Sequence, residues 1–394
     1  PARAAAQDVI YGVLRSYGRG EFILGRLMGK PLTHAETQAL LLAALYRLES
    51  RIESSGESPG SAAAMVVDQA VTAAGELAGG VFKGLVNGVL RNYLRQREAL
   101  LAALAADDVA VCQHPAWWLA RLRRAWPDDW QTIVEAGNRP PPMMLRVNRR
   151  RTTVADCMAQ LRVAGIESTP VGEQGLILSQ PLAVDALPGF AAGLVSVQDA
   201  GAQRAAQILA PAPGSRVLDA CAAPGGKTAH LLEAAEAAEA TNLDLLALDI
   251  DAGRARRIAE NLDRLALSAE IRVADCLAVD RWWDGRAFDA ILADVPCSAS
   301  GVVRRHPDSK WLRRESDIRR LALTQTAILD ALWPLLKVGG KLLYATCSLF
   351  PEENGAQIDA FLVRQPGARC LRVEQLLPCA DHDGFYYALL QKAS

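Results

Sequence analysis

A chain of 394 residues, 51% hydrophobic and 22% charged, has material for two or three domains that each bury a core. A net charge of −1 excludes polyanion binding through overall charge, so any nucleic-acid surface must come from local clusters. Eight Cys without a Cys-x-x-Cys spacing fit neither a disulfide framework nor a zinc site; no run nears the roughly 20 apolar residues that span a bilayer, and no signal pattern opens the chain, so a cytoplasmic setting with reduced thiols is expected.

Residues 1–138 read as all-helical. Apolar spacing of three and four predicts helices over Ala39–Ser50, Ala62–Leu77, Val81–Leu104 and Pro115–Trp126, with a polar loop over 53–60 and a break at Gly79-Gly80. Lys83, Asn87, Arg91 and Arg95 recur at i, i+4 and share one helix face. A solvated face is the commoner explanation for such a stripe; an RNA-facing stripe is the sharper one. The stiff Asn138-Arg-Pro-Pro-Pro142 stretch marks a boundary.

Residues 143–193 read as a small α+β subdomain, with strands near 145–148 and 175–178 and a helix near 154–164. Arg146, Arg149, Arg150 and Arg151 at its start offer a grip on a phosphate backbone. From residue 194 to 394 strands and helices alternate. Strands are predicted at 216–219, 243–249, 271–273, 288–293 and 341–345, with helices at 228–240, 252–265 and 318–336, which makes a doubly wound α/β sheet.

Ligands bind such sheets at the carboxyl edge. Two of the predicted strands end there in a thiol: Cys297 in Asp-Val-Pro-Cys-Ser (294–298) and Cys347 in Tyr-Ala-Thr-Cys-Ser (344–348). They suggest a nucleophile and a helper; inert packing is the bland alternative, since free Cys is among the most buried residue types. The first strand leads through Cys221-Ala-Ala-Pro-Gly-Gly-Lys227 into a helix. That loop lacks Gly-x-Gly-x-x-Gly, and Cys221 stands where a P-loop needs its first Gly. An adenosine ligand without phosphates, such as S-adenosylmethionine, remains. Asp249, at the next strand end, is placed for ribose hydroxyls, and Asp275, after the third strand, for the adenine amino group, although each Asp alone could merely cap a helix.

Together with Val197-Gln-Asp199, Asp219 to Thr228, Asp249-Ile-Asp251, Gly301 to Asp308 and Tyr344 to Asn354, these motifs resemble the RNA cytosine-5 methyltransferases of the Nop2/Sun type. Phe82 to Arg91 and His114-Pro-Ala-Trp117 are similar to the NusB-like domain fused to its bacterial 16S ribosomal RNA branch, so the resemblance covers nearly the whole chain. Gly201, Arg204, Val295 and Leu389 depart from the family pattern.

The resemblance implies a Rossmann-like class I methyltransferase domain behind an α+β subdomain and an all-α NusB-like domain. It implies C5-methylation of a specific cytosine in 16S ribosomal RNA, with Cys347 as nucleophile, Cys297 assisting elimination, and Asp294 and Lys227 serving the base. The residues alone do not choose between the thiols, because in DNA cytosine-5 methyltransferases the Pro-Cys thiol attacks. The cofactor would contact Cys221, Ala222, Ala223, Pro224, Gly225, Gly226, Lys227, Asp249, Asp275 and Asp294. The target base must be unpaired or flipped out. Arg304, Arg305 and Lys310, just after the Pro-Cys loop, are expected at the RNA entrance, with Lys83, Arg91, Arg95 and Arg146 as further RNA contacts. No metal is expected, since the five His show no ligand spacing, nor a membrane, and a monomer is expected. The alternative is an RNA-binding assembly factor whose methyltransferase domain is inactive.

Overall fold

The computed structural model describes residues 2–55, 59–237 and 243–393, which divide into two compact units: Pro1–Arg139 with Val303–Leu312, and Pro140–Val302 with Arg313–Ser394. Eight helices make up the start of the first unit: α1 (Ala2–Arg15), α2 (Tyr17–Leu27), α3 (Ala35–Ser55), α4 (Pro59–Glu76), α5 (Lys83–Leu104), α6 (Asp108–Cys112), α7 (Ala116–Ala125) and α8 (Trp130–Asn138). Ile23, Leu41, Leu45, Leu48, Val86 and Leu90 form their core. Buried Glu49 accepts from Arg19 at 2.7 Å, from Arg97 at 2.7 Å and from the Tyr93 hydroxyl. Gly79 and Gly80, at φ 65° and 81°, turn the chain between α4 and α5. The predicted loop over 53–60 is narrower than expected: 53–55 end α3, 59–60 open α4, and 56–58 lie outside the described residues.

The second unit begins with β1 (Met144–Val147), α9 (Val154–Val163), β2 (Ser168–Val171), β3 (Gly175–Leu178) and β4 (Val195–Val197), an antiparallel sheet in the order β2-β3-β1-β4. There follow α10 (Ala200–Leu209), β5 (Arg216–Ala220), α11 (Gly226–Ala237), β6 (Asp244–Asp249), α12 (Ala252–Leu265), β7 (Glu270–Val273) and β8 (Phe288–Asp294). After α13 (Ser309–Leu312) of the first unit come α14 (Glu315–Leu332), β9 (Leu336–Thr346), α15 (Gly355–Arg364), β10 (Ala368–Leu376) and β11 (Phe385–Lys392). The predicted helix over 228–240 ends at Ala237 among the described residues, and 238–240 lie outside them. The predicted helix over 318–336 stops at Leu332, since Pro334 cannot continue it and Leu336 already opens β9.

These strands form one sheet in the order β10-β11-β9-β8-β5-β6-β7, parallel from β9 to β7 and antiparallel in the β10-β11 edge. Neighbouring residues such as Val217 and Leu218 belong to core clusters on opposite faces, so a continuous apolar run serves both layers. The doubly wound α/β architecture expected from the alternation is therefore present. From β5 the chain moves outward to β6 and β7, then returns to β8 on the other side. The carboxyl ends of β5 and β8 thus diverge at a topological switch point, where such sheets open a crevice.

One expected RNA contact is corrected here. Arg146 is buried: its Nε and Nη2 donate to Glu233, each at 2.9 Å, and its Nη1 donates to the Gly226 carbonyl at 2.9 Å and to Gln198. All its nitrogens serve the joint between β1 and α11, leaving none for RNA. Removing one partner of a buried ion pair strands the other charge. Arg146→Ala should lower stability to urea by about 3–5 kcal/mol, and should leave the salt slope of RNA binding unchanged.

Candidate active site

Three acids and two thiols reach the crevice from the strand ends, and a fourth acid, Asp219, is buried beneath them. Asp219 is in β5, Asp249 closes β6, Asp275 follows β7 and Asp294 closes β8; Cys297 and Cys347 lie just beyond β8 and β9. A cavity of about 400 Å³ is lined by Cys221, Ala223, Asp249, Asp275, Asp294, Cys297 and Cys347, with Arg254 at its side. Ala222, Pro224, Gly225 and Gly226 complete the loop without lining it. The loop is tightly cut: Ala222 N donates to Leu248 O at 2.7 Å, and the Ala223–Pro224 peptide is cis. Gly225 has φ 93°, and a Cβ there would stand 3.1 Å from Ile258 Cα on α12. Only glycine permits both the turn and that approach.

Asp249 is buried and already structured. Its Oδ2 accepts from Ala223 N at 3.1 Å and its Oδ1 from Asp251 N at 3.0 Å, while Arg254 stands 3.4 Å away. Asp251 caps α12 by accepting from Arg254 N at 2.7 Å. Arg254 is absent from the sequence expectations, although its place one turn into the helix after Asp249-Ile-Asp251 was the available signal. Asp275 accepts from Leu277 N at 2.9 Å and faces the cavity.

Lys227 donates to Asp294 Oδ2 at 2.7 Å. Burial opposes the ammonium charge, but the Asp294 carboxylate outweighs it and raises the Lys227 pKa. Asp219, below them, accepts from the Thr228 hydroxyl at 2.6 Å and is fully buried. Burial pushes its carboxyl up to about 7 against that hydrogen bond. The two thiols stand 3.4 Å apart, Sγ to Sγ. Their shared hydrogen bond, reinforced by burial, pushes the Cys297 thiol well up.

The basic residues expected at RNA separate into two groups. Lys83, Arg91 and Arg95 are exposed on α5, with Arg91 donating to Asn87 and Arg95 to Asn92. Lys310 and Arg304 are buried inside the first unit. Lys310 donates to Asn138 Oδ1 at 2.8 Å and the Arg304 carbonyl accepts from Arg15 at 3.3 Å, while Trp311 donates to Leu14 O at 2.9 Å. For Lys310 and Arg304 the expectation of a surface contact is corrected: both side chains are buried in the helical unit. Arg305 is half-buried. Among the described residues, no group of three or more His, Cys, Asp or Glu stands where it would hold a metal ion, and no helix is long and apolar enough to cross a membrane.

Family models match along the chain: NusB family over 1–95, an RsmF/B-like ferredoxin-like domain over 114–185, and 16S rRNA methyltransferase RsmB/F over 206–391. Ribosomal RNA small subunit methyltransferase B of Vibrio cholerae is 47% identical over 99% of this chain and 89% of its own length. The chain belongs to the RsmB/F methyltransferase family. The protein of that name from Pseudomonas putida is 46% identical over 99% of this chain and 90% of its own length. Among solved structures, a methyltransferase homolog from Pyrococcus horikoshii superposes with TM-score 0.63 at 27% identity, covering 73% of this chain and 98% of that one. The crystal structure of PH0851 shares the fold at TM-score 0.82 and 23% identity, over 99% of this chain and 90% of that one.

As an RsmB/F member the protein is an S-adenosylmethionine-dependent methyltransferase. The crevice fits such a ligand: its acids stand at successive strand ends, its glycine turn admits close approach, and no P-loop is present for phosphates. Two departures from the family pattern have local causes. A Cβ on Gly201 would stand 2.6 Å from the Phe385 ring, and Arg204 makes a bidentate pair with Glu374 at 2.9 and 3.1 Å.

The neutral Asp219 carries a pH signature. Its folded pKa near 7 lies above the unfolded value of about 3.9. Its contribution to stability is therefore full below the unfolded value and is lost as pH rises through the folded one. Asp219→Asn should gain thermal stability relative to wild type between about pH 4 and 7, with a constant difference at higher pH; Tm measured across that range checks it.

Proposed function

We propose that this protein methylates C5 of a cytosine in 16S ribosomal RNA through a covalent Cys347–C6 adduct. The observation that carries this reading is the pair of thiols, 3.4 Å apart, facing the same cavity as the acid row. S-adenosylmethionine, when bound along Asp249, Asp275 and the Cys221–Lys227 loop, supplies an electrophilic methyl group. Cytosine C5 is a poor nucleophile until a thiolate adds to C6. Burial and the hydrogen bond to Cys347 keep Cys297 a neutral thiol, and Cys347 is the sulfur that attacks, as a thiolate whose proton has gone to solvent.

As C6 is attacked, electron density moves onto N3 of the ring. The Lys227 ammonium supplies positive charge there, and Asp294 accepts from the N4 amino group. After C5 has gained the methyl group, its proton must leave and the C6–S bond must break. Once Cys347 is bonded to carbon its sulfur no longer accepts from Cys297, so Cys297 can release its own proton to solvent and, as a thiolate, take the C5 proton directly or through a relay as the C6–S bond breaks. The target base enters only when unpaired or flipped out, at a cost of a few kcal/mol. The exposed α5 stripe of Lys83, Arg91 and Arg95 suits phosphate contact and would supply the salt-dependent part of binding.

Tritium transfer from labelled S-adenosylmethionine to unmodified 16S RNA tests the reading, with wild type, Cys347→Ala and Cys297→Ala in parallel. Cys347→Ala should transfer nothing, and Cys297→Ala should accumulate a denaturant-stable RNA adduct. An adduct in Cys347→Ala instead would exchange the roles of the thiols. A wild type without transfer would favour an RNA-binding assembly factor.

A further inference from the structure

Cys297 and Cys347 sit on different loops, and a polar cluster beneath them joins the two. Glu353 is fully buried and does not line the cavity. Its Oε1 accepts from the Ser298 amide at 2.8 Å and from Gln325 Nε2 at 3.1 Å; its Oε2 accepts from the Ser348 hydroxyl at 2.5 Å. Ser298 follows Cys297, and Ser348 follows Cys347. One carboxylate therefore grips both thiol-bearing loops at the residue next to each sulfur.

Other bonds close the brace. Gln325 Nε2 also donates to the Pro296 carbonyl at 2.9 Å, on the other side of Cys297. Ser298 and Ser348 hydroxyls lie 3.2 Å apart, and Asn354 Nδ2 donates to Ser348 O at 2.8 Å. Glu353 itself is pinned through its carbonyl by the Tyr344 hydroxyl at 2.6 Å. The donors to its carboxylate are all neutral. Burying a carboxylate among neutral donors is costly, and the burial raises the Glu353 pKa despite those bonds. An apolar side chain would fill this space more cheaply but could not fix two loops in register, because dispersion has no direction while hydrogen bonds do.

We propose that Glu353 is a positioning residue for methyl transfer, its carboxylate setting the separation of the Cys297 and Cys347 thiols by bridging the Ser298 amide and the Ser348 hydroxyl. This rests on the reading that both thiols act in turn on one base. An attacking sulfur and a proton acceptor must reach adjacent ring carbons, C6 and C5, so a shift of one loop leaves the adduct formed but poorly resolved.

Glu353→Gln keeps the shape but replaces one acceptor oxygen by an NH2 group that cannot accept, so only one of the two loops keeps its acceptor. Its kcat should fall about 100-fold, the loss typical of an ångström-scale misplacement, while KM for RNA stays within about twofold. S-adenosylmethionine binding by calorimetry should be retained, and the RNA adduct should accumulate on denaturing gels as it does in Cys297→Ala. Glu353→Asp, which keeps the carboxylate, should recover part of kcat. Wild-type kcat and adduct levels in Glu353→Gln would overturn the proposal. So would joint loss of Tm and cofactor binding in both variants, which would make Glu353 a fold element only. If no adduct appears even in Cys297→Ala, the two-thiol reading falls and this proposal with it.

Discussion

The site depends on one topological constraint, the divergence of β5 and β8 at the centre of a parallel sheet. Parallel strands with helices on both faces must bury every side chain except at their ends. Polar chemistry is thereby pushed to the carboxyl edge, and where the winding reverses the edge opens. Asp249, Asp294 and the two thiols line the cavity there, and Asp219 is buried beneath them. The antiparallel β10-β11 pair extends the sheet beyond β9, so the thiol-bearing β9 is an interior strand with neighbours on both sides.

Within the crevice, distance decides which groups carry charge. Lys227 meets Asp294 at 2.7 Å and its pKa is raised despite burial, whereas the Asp219 carboxyl, hydrogen-bonded to the Thr228 hydroxyl, rises towards neutrality through burial. The thiols follow the same logic, since burial and the hydrogen bond between the sulfurs push the Cys297 thiol well up.

Basic residues show where sequence reasoning has least purchase. Arg146, Arg304 and Lys310 look like surface cations in sequence, yet each is buried. Charge type sets what a residue can bind, but burial sets whether solvent or RNA can reach it, and burial is a property of packing. Arg146 finds Glu233 across 87 positions, and Lys310 finds Asn138 across 172. No local pattern announces such partners. The α5 stripe is different, because helical periodicity alone puts Lys83, Arg91 and Arg95 on one face. Helices α1, α2, α6 and α8 fall within the stretch that reads as helical but are not delimited in sequence, nor are α10, α13 and α15; α6 and α13 span only five and four residues.

The sequence by itself determined the doubly wound architecture, the strand ends and the chemical types standing there, since apolar runs, glycine turns and flanking acids are short-range signals. It also contained the motifs by which the family is recognised. Only the tertiary structure decided which groups meet. Lys227 and Asp294 are 67 positions apart, the two thiols 50, and Glu353 lies 55 beyond Ser298. Their contacts are set by strand order and loop bracing, which no spacing along the chain encodes. The physical reason is that secondary structure follows from neighbours in sequence, whereas proton positions and thiol geometry follow from neighbours in space.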